Sequence, residues 1–261
     1  MGLSLQEIAW HQSVGKLIEA LDRPGFWTAL VRILEQYVAF DSWVVLIFSD
    51  TRPQVLAECP GLDGGPDTLF LDYLKGLYQL DPFYIDSRER AVGGLLHLAD
   101  VAPERFERTD YYQRYFRLNV VVDEVQFNVP LQAGHTLCLS LGARHLFSPE
   151  SLALLGLIQP WVSGLMRQRL AFEQDLLRGT APGPAQPQTP GSAGHRLENT
   201  LTARELDVAR LMLSGCSGKE IARKLAISTE TVKVHRKHIY GKLGINSQSE
   251  LFALFLQAQQ D

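Results

Sequence analysis

"SGKEIARKLAISTETVKVHRKHIYGKLG", Ser217 to Gly244, contains two helix starts, two apolar stripes and a dense run of cations. Ser217 stands three residues before Glu220, the spacing at which hydroxyl and carboxylate reciprocally satisfy free backbone N–H groups at a helix N-terminus. Ser228 supplies a second N-cap. Ile221, Ala222 and Leu225, then Val232, Ile239 and Leu243, recur at three- and four-residue intervals, so each helix has one face for a shared core. The join "LAIST" is only a few residues long, which suits a helix pair crossing at a steep angle. With Val232, Ile239 and Leu243 facing inward, Lys233, Arg236, Lys237 and Tyr240 fall near the opposite face, with Val234 on its flank. A basic helical face on its own is more often merely solvated. Set on the second helix of a helix-turn-helix pair, it reads instead as a surface for a polyanion.

The same punctuation extends on either side. Thr202 precedes Glu205, and Ser247 precedes Glu250, at the capping-box spacing. Four helices are expected, Ala203 to Leu213, Gly218 to Leu225, Thr229 to Leu243 and Gln248 to Gln257, with Gly215 and Gly244 placed as C-caps. An α-helix fits the DNA major groove, where lysine donates to guanine edges and an aliphatic group meets a thymine methyl. Lys233, Val234 and Lys237 have that chemistry and placement. Thr229, Thr231 and the helix N-terminus can donate to phosphates without reading sequence. His235 suits phosphate contact or packing, and with His238 it lacks a third ligand for a metal. On the last helix Leu251, Phe252, Leu254 and Phe255 form a stripe too broad for a short terminal helix to bury alone, which points to a dimer; packing back onto its own domain is the other reading. Two copies would present two such helices to half-sites ~34 Å apart, so a rough inverted repeat is the expected double-stranded DNA partner.

Division of the chain gives the charge its meaning. The 261 residues carry a net charge of −4, but from Thr200 onward the balance is +3 and before it −7. An acidic body bearing a basic tail is a pointer to polyanion binding by the tail. Between them "RGTAPGPAQPQTPGSAGHRLEN" has almost nothing apolar to bury and reads as a semi-stiff linker over 179–199, leaving domains at 1–178 and 200–261. No apolar run is long enough to span a bilayer, and Glu7, His11, Lys16 and Glu19 interrupt any signal-peptide core, so a cytoplasmic protein without a membrane partner is expected. Cys59, Cys138 and Cys216 have no metal-ligand or disulfide-framework spacing.

Helical patterns in the first part fall at Leu5 to Leu21, Gly25 to Val38, Thr68 to Leu80, Asp110 to Arg117 and Ser148 to Leu177. Strand patterns fall at Ser42 to Ser49, Gln54 to Cys59, Asp123 to Leu131 and His135 to Ala143, the last two joined as a hairpin through "QAG". Antiparallel strands flanked by helices, with a long closing helix, predict an α+β sensor domain of the GAF or PAS kind. Trp43, Tyr73, Tyr78, Asp81, Tyr84, Tyr112 and Phe127 offer apolar walls with polar tips for a small-molecule effector, though aromatics at such spacings are more often core. No nucleophile elbow, P-loop, dinucleotide fingerprint or zinc-protease motif is present, so neither an enzyme nor a cofactor is expected.

Leu201 to Leu251 resembles the LuxR-type helix-turn-helix domain over its whole length, through "LTARE", "GCSGKEIARKL", "STETVKVH" and the closing "KLG". The resemblance implies a bacterial transcriptional regulator whose third helix enters the major groove and whose fourth mediates homodimerisation, with RNA polymerase as a further partner. It makes Lys233, Val234 and Lys237 base-reading residues and Thr231, His235 and Arg236 backbone contacts. Gln248 departs from it, standing where many relatives carry arginine. A phosphorylated receiver, common before such domains, is not indicated, because Asp50 is a lone acid after its strand. Asp81-Pro82 resembles an element of the family's acyl-homoserine-lactone sensors, but Thr68, Asp72 and Leu96 stand where aromatic residues are expected. The first domain thus reads as a sensor for some other small molecule, with a ligand-free dimerisation or docking module as the alternative.

Overall fold

Five strands, β1 (Ser42–Phe48), β2 (Gln54–Glu58), β3 (Gly94–His97), β4 (Asp123–Pro130) and β5 (Thr136–Ala143), form one antiparallel sheet in the order β2-β1-β5-β4-β3. The computed structural model describes residues 5–50, 52–59, 68–90, 92–119, 122–179 and 200–257. Period-two alternation assigns the faces of the central strands. Val125, Phe127 and Val129 of β4 and Leu137, Leu139 and Leu141 of β5 turn to one face, where they join an apolar core. Glu124, Gln126 and Asn128, opposite Gly142, Ser140 and Cys138, turn to the other. The expected hairpin through "QAG" is present, with Val125 facing Leu141 and Val129 facing Leu137.

Helices α1 (Leu5–Glu19), α2 (Phe26–Leu34) and α5 (Pro149–Gly179) supply the rest of that core through Leu17, Phe26, Leu30, Leu34, Leu155, Val162 and Met166. A polar knot fixes them. Arg169, 1% exposed, donates to the carbonyls of Leu21 and Arg23 at 2.7 Å each and to Glu173 at 2.8 Å, and the same Glu173 oxygen accepts from Trp27 Nε1 at 2.7 Å. A buried guanidinium is tolerable only when its donors are matched in this way. These elements form one compact unit, 1–60 with 91–97 and 122–183.

The second unit comprises 61–90, 98–121 and 184–261. It contains α3 (Thr68–Lys75), α4 (Pro82–Glu89) and four helices at the C-terminal end, α6 (Ala203–Leu213), α7 (Gly218–Lys224), α8 (Thr229–Leu243) and α9 (Gln248–Gln257). The single helix expected over Thr68 to Leu80 is broken at Gly76, after which Leu77–Leu80 form a 3-10 turn. The helix expected over Asp110 to Arg117 is present and contains a π turn at Tyr112–Phe116, whose wider coil seats Tyr112 and Phe116 against Phe106, with ring centroids 5.4 and 5.2 Å apart. Strand β3 and helix α4 have no counterpart in the sequence reading. The expected linker lies outside the described residues, apart from Gly179 at the end of α5. Among the described residues no helix is long and apolar enough to cross a membrane.

Candidate nucleic-acid interface

Helix starts in the C-terminal domain are built as the spacings require. Thr202 and Ser217 each accept from the backbone N–H three residues on, while Glu205 and Glu220 reach back to the cap N–H, completing two capping boxes. Ser228 accepts from Thr231 N at 3.0 Å. Gly244 closes α8 with φ +66°, and Gly215 turns the chain at φ +90°, both in the left-handed region that favours glycine. Glu205 also accepts from Lys242 Nζ at 2.6 Å, tying the start of α6 to the end of α8. That ammonium, with the Thr202 N–H, pulls the Glu205 carboxyl down to about 2. Gln248, where the resemblance implies arginine, donates to the Met212 carbonyl at 2.6 Å, so a neutral amide serves the end of α6.

Val232 and Ile239 bury one side of α8 at 3% and 0% exposure. Lys233, Val234, Arg236, Lys237 and His238 are all exposed. Val234, at 51%, is a large aliphatic side chain held in water between cations. Lys233 pairs with Glu230 at 2.8 Å, but both side chains are largely exposed, so the pair is weak and easily exchanged for a phosphate or a base. Arg236 lies over the Tyr240 ring, 5.5 Å from its centroid and within the ~6 Å reach of such a contact. Lys233, Arg236, Lys237, Tyr240 and Asn246 line one surface groove. At the N-terminal end Thr229 is exposed and Thr231 half-buried, while His235 is half-buried and its Nδ1 is buried without a hydrogen-bond partner among the described residues. The seven residues named from sequence as DNA contacts all lie on α8; Thr229, Lys233, Val234, Arg236 and Lys237 are exposed, and Thr231 and His235 are half-buried. Among the described residues no cluster of His, Cys, Asp and Glu could hold a metal ion.

Helix α9 is placed differently from the expectation of an open dimerisation stripe. Leu251, Phe252 and Phe255 are buried at 1%, 0% and 5%, and Leu254 is half-buried. Part of that cover comes from earlier in the same unit: the Arg114 guanidinium sits 5.2 Å from the Phe252 ring centroid. Lys224 of α7 pairs with Glu89 of α4 at 2.5 Å. Glu220 of α7 accepts from Glu104 N at 3.4 Å, and Gly215 lies so close to the Thr109 methyl that a Cβ there would overlap it.

The aromatic candidates separate into three groups. Tyr73, Tyr78, Asp81 and Tyr84 do cluster: Tyr73 donates to Asp81 at 2.7 Å, and the Tyr73–Tyr78 and Tyr78–Tyr84 rings are 6.4 and 5.1 Å apart. Asp81 caps α4 by accepting from Phe83 N at 2.8 Å, and burial drives its carboxyl up to about 6 against the pull of those two donors. Tyr112 belongs to the neighbouring Phe106–Phe116 cluster. Trp43 and Phe127 instead take places in the apolar core of the sheet, since their positions fall on the face that meets α1, α2 and α5. Gln126 and Asn128, adjacent to Phe127 but on the opposite face, escaped the sequence reading. Strict alternation in "DEVQFNVP" is the signal that separates them.

A capped helix-turn-helix with an open, basic second helix defines a DNA-binding protein of the transcription-regulator class. The chain belongs to the luxR family of bacterial regulatory proteins, whose signature matches residues 199–255. It is 34% identical over 183 residues to an HTH-type transcriptional regulator encoded in the exeN 3′ region of Aeromonas salmonicida, covering 67% of this chain and 93% of that one. Fimbriae Z protein of Escherichia coli is 51% identical over 51 residues, 20% of this chain and 24% of its own. Among solved structures, the VqsR LBD domain of Pseudomonas aeruginosa is 51% identical with a TM-score of 0.60, covering 64% of this chain and 98% of that one.

Proposed function

We propose that this luxR-family regulator binds a roughly inverted-repeat operator as a homodimer and that its first 178 residues respond to a small molecule. The observation that carries the DNA half is the exposure on α8 of Lys233, Val234 and Lys237, which suit base edges, while Val232 and Ile239 anchor the helix. Thr229, Thr231, His235 and Arg236 supply the phosphate contacts that set its register. The effector half is supported by the 51% identity to the VqsR LBD domain.

Coupling between the halves runs through Glu89–Lys224 and Arg114–Phe252. An effector that repacks 61–121 changes how firmly the reading domain is held, and so the free energy of DNA binding. Loosening the Arg114 contact also frees the Phe252 side of α9 for a second copy. Footprinting on selected genomic fragments tests the reading: protection of two half-sites about one helical turn apart is expected, with two chains bound per site. A single unsplit half-site bound by one chain would overturn the dimeric operator. Exchanging charge with Glu89→Lys is expected to raise effector-free DNA affinity severalfold, and unchanged affinity would remove the coupling route.

A further inference from the structure

One glycine on α8 is not required by the fold. Gly241 stands in the last turn of the helix, and a Cβ built on it would meet nothing within 4 Å. Glycine weakens a helix more than any residue except proline, so a side chain at 241 would make α8 firmer. Gly244 is a different case, since its φ of +66° favours glycine whatever lies nearby. Glycine at an unconstrained helical position is useful where another backbone must come close. Gly241 lies one turn beyond Lys237 and two beyond Val234 on the same helical face, and it borders the groove that Lys237, Tyr240 and Asn246 line.

A straight helix of 15 residues is ~22 Å long, whereas the major groove is ~12 Å wide and curves round the duplex. With Lys233, Val234 and Lys237 at base edges, the last turn of α8 therefore meets a phosphate ridge. Two neutral donors stand there. The Asn246 side chain is exposed, while its backbone N–H donates to Glu250 Oε2 at 3.1 Å and so holds the residue at the end of the groove. The Tyr240 hydroxyl is buried with no hydrogen-bond partner among the described residues, a donor without an acceptor beside a cationic groove. We infer that Tyr240, Gly241 and Asn246 form a saddle for one phosphodiester of the operator, additional to those met by Thr229, Thr231, His235 and Arg236. The missing side chain at 241 admits the ridge, the Asn246 amide donates to it, and the Tyr240 hydroxyl donates once Arg236 turns from its ring toward the duplex. This inference rests on the DNA reading proposed above and adds the residues on which the contact of α8 ends.

Titration of the full chain with a selected genomic fragment and its scrambled form, over a range of salt and beside thermal unfolding, tests it. Gly241→Gln is expected to raise Tm and yet weaken both duplexes about tenfold, because its side chain fills the saddle. Tyr240→Phe is expected to keep Tm equal or higher, since an unpaired hydroxyl is gone, and to weaken both duplexes about fivefold. Asn246→Lys is expected to tighten both and to steepen the salt slope by about one, as one more neutralised phosphate requires. A Gly241→Gln chain less stable than the parent, or one that binds as the parent does, would overturn the inference. So would an unchanged salt slope in Asn246→Lys, or a Tyr240→Phe loss seen on the selected fragment alone. The two readings fail separately: a parent that does not distinguish selected from scrambled duplex removes base reading by α8, whereas a discriminating parent whose variants bind as it does removes only the saddle.

Discussion

Lys237 and Arg236 are neighbours on α8 with different expected duties. Lys237→Ala is expected to cost ~1–3 kcal/mol on the preferred operator and to relax base choice at one position. Arg236→Ala is expected to weaken all duplexes alike and lower the salt slope by about one. Affinity across an operator-variant panel at several salt concentrations separates the two. Glu205 and Asp81 give opposite pH signatures. The folded-state carboxyl of Glu205 is depressed to about 2, so its contribution is full above the ordinary carboxylate range and is lost as pH falls toward 2; Glu205→Gln should flatten that acid limb and cost ~1–2 kcal/mol through the lost cap and Lys242 bond. Asp81 is raised to about 6, so its contribution is full below the ordinary range and is lost as pH rises through 6. Asp81→Asn keeps an N-cap and should remove that slope, as urea midpoints at pH 4 and 7 would show.

Elements were legible in proportion to how local their signals are. Three of the four C-terminal helices, α6, α8 and α9, have the bounds expected from caps and glycines, because a cap binds backbone only three residues away. Strand β3 is a four-residue edge strand defined by pairing with β4 some thirty positions on, and no local pattern announces such a partner. Helix α4 is different, since Asp81-Pro82 is an N-cap followed by a proline at the first helical position, a start signal that is legible in the sequence. In the first domain the large aromatics Phe127 and Trp43 are core, and only the strict alternation of β4 separates Gln126 and Asn128 from them. Joining α2 and α5, the Arg169 knot predicts that Arg169→Met, which leaves Glu173 and two carbonyls short of a donor, destabilises the protein by ~3–5 kcal/mol in chemical denaturation.

For the whole molecule, charge segregation and contacts of α6–α9 with earlier segments of their unit set the behaviour. A +3 reading segment behind a −7 remainder keeps the protein from binding polyanions through its larger part, so DNA affinity should fall steeply with salt while the domain's stability does not. The Arg114–Phe252 contact and the Glu89–Lys224 pair join the reading domain to earlier segments of its own unit, a link that no local pattern in the sequence discloses. Competition anisotropy, with full-length protein, a fragment selected from genomic DNA and the same fragment scrambled, probes the α8 assignment most directly. The account predicts a preference of about a thousandfold or more for the selected fragment, shrinking at least tenfold in Lys237→Ala. Equal affinity for selected and scrambled duplex, with and without effector, would contradict it.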